Sequence, residues 1–335
     1  MKAIIFAVVY TVASLLLGGW VGTLFMMPFM AAMWIEATTG VLEISMSADN
    51  AVVISGMLRK QSPFWQRNYM IFGMPIAGIG MRFAVPILIV SLALMINPIS
   101  TLMMAIHDPD AYSKALEGVS SYITAFGVCF LTPVFADFMC NDEKDHWIGF
   151  IERPLAALNS KAYHYGLSVV VLMISMVIFK LSHNPDPVTG LIFITAGIFG
   201  ILSHLAIKML SEFAEDGSGG TGSGFMGFLA MEAVDASFSF DGVIGAFAIT
   251  KNIFLVAIGL MIGAFWTRTL VLMLAKSTKV GELKYLGHGA FWNIAALIVI
   301  MVASIATDVP AWIPGLFSFA FLGKAIYDSF QVVED

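Results

Sequence analysis

The chain has little charge. Lys, Arg, Asp and Glu supply 12% of its 335 residues, against roughly 25% in a soluble domain. Hydrophobic residues supply 59%, and the mean hydropathy is +0.88. These values exclude the pair of soluble domains that the length alone would suggest. Cysteine is nearly absent too. Cys129 and Cys140 are the two present, so a disulfide framework and a CxxC metal site are both excluded. One is expected as a packed thiol and the other as an interfacial one. No basic block is interleaved with aromatics, which argues against nucleic acid as a partner. No HExxH occurs, which excludes that class of intramembrane metalloprotease. Nothing in the chain asks for an organic cofactor.

What is present is a series of apolar runs. They read as an all-α polytopic membrane protein of about ten transmembrane helices, each needing about 20 apolar residues. The expected spans are 4–26, 34–57, 68–96, 119–140, 163–181, 190–211, 226–250, 252–275, 286–306 and 311–330. The first is too long and too poorly flanked for a signal peptide. Pro98 is read as opening a loop with His107, Asp108, Asp110 and Lys114. The run Asp216–Gly224 is read as a flexible Gly/Ser linker. The organisation is a first half at 1–140, a cytoplasmic loop at 141–162, connecting spans and linker at 163–225, and a second half at 226–335. Twelve of the seventeen basic residues fall on one side if the spans alternate. By the positive-inside rule that side is the cytoplasm, with both termini there and the protein in the inner (plasma) membrane.

Two acidic stretches interrupt the apolar sequence. GVLEISMSADNAVVISG covers 40–56, and EAVDASFSFDGVIGAFA covers 232–248. Superposed without a gap, Glu43 falls on Asp235, Ser45 on Ser237, Ser47 on Ser239 and Asp49 on Asp241. An ionisable residue within a bilayer costs roughly 2.5–3.5 kcal/mol on insertion scales and marks a functional site by default. In the alternating layout the two stretches cross in opposite directions, as in transporters built from two inverted repeats around a midplane site. Each is followed by a span with a buried arginine, Arg82 and then Arg268. These arginines are expected to orient or neutralise the acids.

Six residues of helix separate side chains by about 120°. The paired acids can converge only if each helix breaks, and breaks are expected at 45–50 and 237–242. Carboxylates, the Asn50 amide and serine hydroxyls form a hard oxygen donor set. Such a set suits magnesium, calcium or manganese, with manganese favoured. Histidine and cysteine are missing from both stretches, which disfavours zinc and copper. The expected metal ligands are Glu43, Asp49, Asn50, Asp235 and Asp241. Ser45, Ser47, Ser237, Ser239, Glu232, Arg82 and Arg268 support them. The divalent ion is the substrate, and crowded acids would couple its binding to proton release.

On LEISMSADNAVV (42–53) and EAVDASFSFDGVIGAFAIT (232–250) the chain resembles the TerC family of integral membrane proteins. The run DFMCNDEKDHWIGFIERPL (137–155) is similar to a related subgroup of unknown function. The resemblance implies two inverted repeats in the wider LysE-like exporter superfamily, and manganese export with links to tellurite resistance. Two rivals stand beside this reading. One is a metal-dependent membrane enzyme. The other is a scaffold of a metal or tellurite stress response that recruits protein partners through the 141–162 loop. Lesser signals are read blandly. The Asp137–Arg153 run is a solvated loop, Glu36 and His288 are interfacial, and His204 is a packing histidine rather than a proton relay.

Overall fold

A computed structural model describes residues 2–140, 146–157, 160–217, 224–277, 283–310 and 312–333. Helix makes up 88% and no strand occurs among the described residues, so the all-α class holds. In chain order the helices are α1 (Lys2–Leu24), α2 (Phe29–Met46), α3 (Ala48–Arg59) and α4 (Pro63–Pro75). A π-helical segment (Ile76–Ala84) joins α4 to α5 (Val85–Leu94). Then come α6 (Pro98–His107), α7 (Pro109–Met139), α8 (Gly149–Ala156), α9 (Lys161–His183) and α10 (Pro187–Gly217). The last are α11 (Phe225–Ile249), α12 (Ile253–Lys276), α13 (Leu286–Ser304) and α14 (Trp312–Val333).

Among the described residues seven helices are long and apolar enough to cross a membrane, or eight if bent α2–α3 counts as one span. Ten were expected. Helix α11 has the length, but Glu232, Asp235 and Asp241 sit in its middle. Several starts follow one rule, an Asn or Asp cap before proline at the first helical position. Asn97 Oδ1 accepts from Ser100 N at 2.7 Å, Asp108 Oδ1 from Ala111 N at 3.1 Å, and Asp186 Oδ1 from Thr189 N at 2.7 Å. The Thr189 bond holds the Asp186 carboxyl below its ordinary range. The loop expected at Pro98 is therefore helix α6, and α7 begins at Pro109, ten residues before the expected span. Proline fits there because the first helical N–H would be unpaired anyway.

The chain divides into two compact units, Met1–Ser120 with Gly227–Ala275, and Ser121–Met226 with Lys276–Asp335. Both acidic stretches lie in the first unit. Its central element is α12, buried along nearly its whole length, as its apolar character all round requires. Asn252 caps it, with Oδ1 accepting from Phe254 N at 3.0 Å. Helices α2 and α12 approach closely through small residues. A Cβ on Gly259 would stand 2.7 Å from Thr39 Cβ, and one on Gly263 would stand 2.3 Å from Glu43 Cβ. Helix α1 presents Phe6, Val9, Trp20 and Leu24 outward, the apolar exposure of a lipid-facing helix.

In the second unit Phe179 stacks on Phe193 at 4.5 Å beside Cys129 and Leu172, which ties α9 to α10. Gly200 lets α10 meet α7, where an added Cβ would stand 2.2 Å from Phe126 O. The run read as a solvated loop is partly folded. Glu152 of α8 is buried, with Oε2 accepting from Trp147 N at 2.6 Å and Oε1 from Trp292 Nε1 at 2.7 Å. His288 is buried against the same carboxyl, 3.1 Å from Nδ1 to Oε2, rather than interfacial. A buried carboxylate needs such partners, and here they are the nearby Trp147 backbone N–H and ring nitrogens of Trp292 and His288 far along the chain. Residues 141–145 and 158–159 lie outside the described residues, as does most of the expected Gly/Ser linker, 218–223. Cys140 is buried like Cys129 and not interfacial.

Candidate functional site

The first acidic stretch folds as a broken helix. Helices α2 and α3 meet at Ser47 with a 62° bend. Ser47 has φ −107° and ψ 8°, outside the helical well. The serines turn back on their own helix, which favours bending. Ser45 Oγ donates to Val41 O at 2.8 Å, and Ser47 Oγ donates to Glu43 Oε1 at 3.2 Å. The break expected at 45–50 is therefore present. The second stretch differs, because α11 runs unbroken from Phe225 to Ile249. The break expected at 237–242 does not occur. An α-helix tolerates serines and glycines in its course when its neighbours hold it, and α11 lies in the first unit with buried α12.

Glu43 is buried beside the break. Arg82 Nη2 donates to Glu43 Oε1 at 2.5 Å, and Nη1 donates to Ala77 O at 2.7 Å. Arg82 sits in the π-helical segment, a form rare in proteins and frequent at functional sites. Gly242 of α11 and Gly263 of α12 make room for Glu43. A Cβ on Gly242 would stand 2.2 Å from Glu43 Oε2. Asn50, in the first turn of α3, is also buried, and neither its amide oxygen nor its nitrogen has a hydrogen-bond partner.

A second ionic group forms on α11 and α12. Arg268 Nη1 and Nη2 donate to Glu232 Oε1 and Oε2 at 3.0 and 2.6 Å, and Nη2 also donates to Asp235 Oδ2 at 3.0 Å. The Glu232 pair is a bidentate fork, the strong geometry for guanidinium and carboxylate. Tyr69 of α4 stacks beneath Arg268, 4.7 Å from its guanidinium carbon to the ring centre. Gly73 leaves the space, since a Cβ there would stand 2.0 Å from Arg268 Nη1. Sequence spacing does show Glu232 three residues before Asp235, on one helical face. The Tyr69 platform has no sequence signal, because a different helix supplies it.

In both stretches the following arginine binds the first acid of the motif, Arg82 on Glu43 and Arg268 on Asp235. The side chains of Asp49, Ser237, Ser239 and Asp241 lie outside the described residues, although their backbones belong to α3 and α11. Ser45 bonds only its own helix in this geometry. Among the described residues no three His, Cys, Asp or Glu side chains gather closely enough to hold a metal ion. Glu43, Asp235 and Asn50 thus do not by themselves compose the expected ligand set. Among the described residues, however, the buried charges of this group do not balance. Glu43, Glu232 and Asp235 are buried with Arg82 and Arg268, three carboxylates to two guanidiniums. Glu36 of α2 adds a fourth buried carboxyl and is not interfacial.

Residues 48–334 match the family described as "Protein of unknown function (DUF475)". The chain belongs to that family. This corrects the resemblance to the TerC family and the LysE-like exporters, to which the match gives no support. No curated protein and no solved structure matches the chain.

Proposed function

We propose that this protein is a membrane carrier for a hard divalent cation, with manganese favoured over calcium and magnesium. The observation that carries this reading is the buried excess of carboxylates over guanidiniums around the helix break at Ser47. Buried charge must be balanced, or its desolvation is strongly unfavourable. A further cation beside the two arginines supplies that balance. Asn50, buried and unpartnered next to the break, offers a further oxygen donor of the kind such ions take. In this reading Arg82 and Arg268 hold the first acid of each stretch and leave Asp49 and Asp241 to the ion.

The test is ion flux into proteoliposomes, with manganese, calcium, magnesium and zinc compared. Wild type is expected to move one hard divalent ion and not zinc. Asp49→Asn and Asp241→Asn are expected to abolish that flux while inserting normally. Full flux in both variants, or no flux of any ion by well-inserted wild type, would sink the reading.

The finer architecture belongs to the same proposal. Helices α11 and α14 join the apolar ones and bent α2–α3 to make ten spans in the inner membrane, with both termini cytoplasmic. The matching arginine–acid pairs support two inverted repeats. Cysteines placed at Lys2 and Gln331 are expected to resist an impermeant thiol reagent applied outside intact cells. Modification of either would overturn the topology.

A further inference from the structure

Glu36 stands apart from the ionic groups above. It is fully buried on α2, and neither carboxyl oxygen has a hydrogen-bond partner. The carboxyl lies directly on α1 at Gly18, where a Cβ would stand 1.3 Å from Oε1 and 2.0 Å from Oε2. Glycine at that point is what admits the group between the helices. The backbone beside it meets α12, with Glu36 O 3.2 Å from where a Gly259 Cβ would be.

Among the described residues the surroundings offer no counter-charge. Between Ala3 and Leu24 α1 carries no charged residue, and its titratable side chain is Tyr10, two turns before Gly18. On α12 the charged residues are Arg268, bound to Glu232 and Asp235, and Lys276 in the last turn. On α3 Arg59 donates to Leu274 O. On α2 itself the nearest acid is Glu43, seven positions on, on nearly the same face, and held by Arg82. Among the described residues no basic group bonds to Glu36. An ionised carboxylate here would have given up its water for nothing in return. A neutral carboxylic acid avoids that penalty.

We propose that Glu36 is a proton-binding site, loaded in the conformation described here. Its proton leaves when α1 moves off the carboxyl and admits water or a cation. The link to cation movement rests on the carrier reading; the proton occupancy does not. The site sits at a helix interface, so loading and release are tied to helix movement.

The test uses the full chain in phosphatidylcholine liposomes treated with dicyclohexylcarbodiimide. A protonated carboxyl in an apolar site adds across one C=N bond of this reagent. Its proton goes to nitrogen and its oxygen to carbon, and the adduct rearranges to a stable N-acylurea with nothing expelled. Peptide mass spectrometry at neutral pH is expected to find the adduct on Glu36 in large excess over Glu43 and Glu232. Labelling is expected to fall as the pH is raised and to vanish in Glu36→Gln. Thermal stability gives a second readout. Glu36→Gln replaces a neutral acid by a neutral amide and is expected to melt with wild type. Labelling of Glu36 no stronger than that of Glu43, or a glutamine variant markedly more stable than wild type, would overturn the proposal. If the variant does not fold, the wild-type ratio of Glu36 to Glu43 still decides. Labelling of Glu36 in a protein that moves no ion keeps the proton site and removes the carrier. Intact flux without labelling removes the proton site alone.

Discussion

Arg268→Ala is expected to destabilise the protein more than any other single substitution in its first unit. The change leaves Glu232 and Asp235 facing each other without a cation, and both are buried. Removing one partner of a buried ion pair costs about 3–5 kcal/mol, mostly because the orphaned charge remains. Here one guanidinium serves two carboxylates, and Tyr69 loses the cation stacked on its ring. Thermal unfolding in detergent, followed by tryptophan fluorescence, measures the loss. Adding Glu232→Gln to Arg268→Ala should restore part of it, since neighbouring ionic groups do not behave additively. Arg268→Lys should fall between, because an ammonium cannot reproduce the two-pronged contact with Glu232. A melting curve for Arg268→Ala that overlays wild type would mean the cluster is not held by this charge.

Gly263→Leu is expected to produce the next largest effect, and to reach the site by steric means. A Cβ at this position would already stand 2.3 Å from Glu43 Cβ and 3.0 Å from Gly40 O. A leucine has nowhere to go without pushing α2 away from α12. Overpacking of this kind typically costs about 1–3 kcal/mol. The displaced residue is Glu43 itself, so the contact with Arg82 should be lost together with the close approach of the helices. Gly56→Ala supplies the contrast. Nothing lies within 4 Å of a Cβ at Gly56, and alanine in a helix is favoured over glycine by roughly 0.5–1 kcal/mol. Melting temperature and ion flux should both drop in Gly263→Leu and stay level or rise in Gly56→Ala. Equal behaviour of the two variants would remove the helix approach as the element that places Glu43.

Much of this architecture can be read from the residues in order. Apolar run lengths locate the long helices, and the serines of the first stretch announce its break. The service of Arg82 and Arg268 to the acids follows from their being charged inside apolar runs. Other features depend on residues that meet only after folding. Glu36 has the sequence surroundings of an interfacial acid, and it is buried because Gly18 of another helix receives it. The unbroken course of α11 has the same character, since its serines and glycines resemble those of a stretch that does break. Pro98 misleads for a simpler reason. Proline ends helices from within but starts them at the first position, and the preceding Asn97 cap decides between the two. Glu152 sits in the most charged run of the chain, yet two tryptophans and His288 enclose it.

The π-helical segment at Ile76–Ala84 bears on how the gene for such a chain can change. Hydrogen bonds there close a wider ring than in an α-helix, so the segment accommodates more residues per turn than its neighbours. Losing one codon within it would let the helix close as an ordinary α-helix. The wide turn takes up the extra residue, so the helix beyond it would keep nearly its former register, and the side chains re-aimed would be those of the segment itself. Arg82 would leave Glu43 although no charged residue had been altered. Insertions and deletions between Pro75 and Val85 therefore act on the Arg82–Glu43 pair without touching either charge.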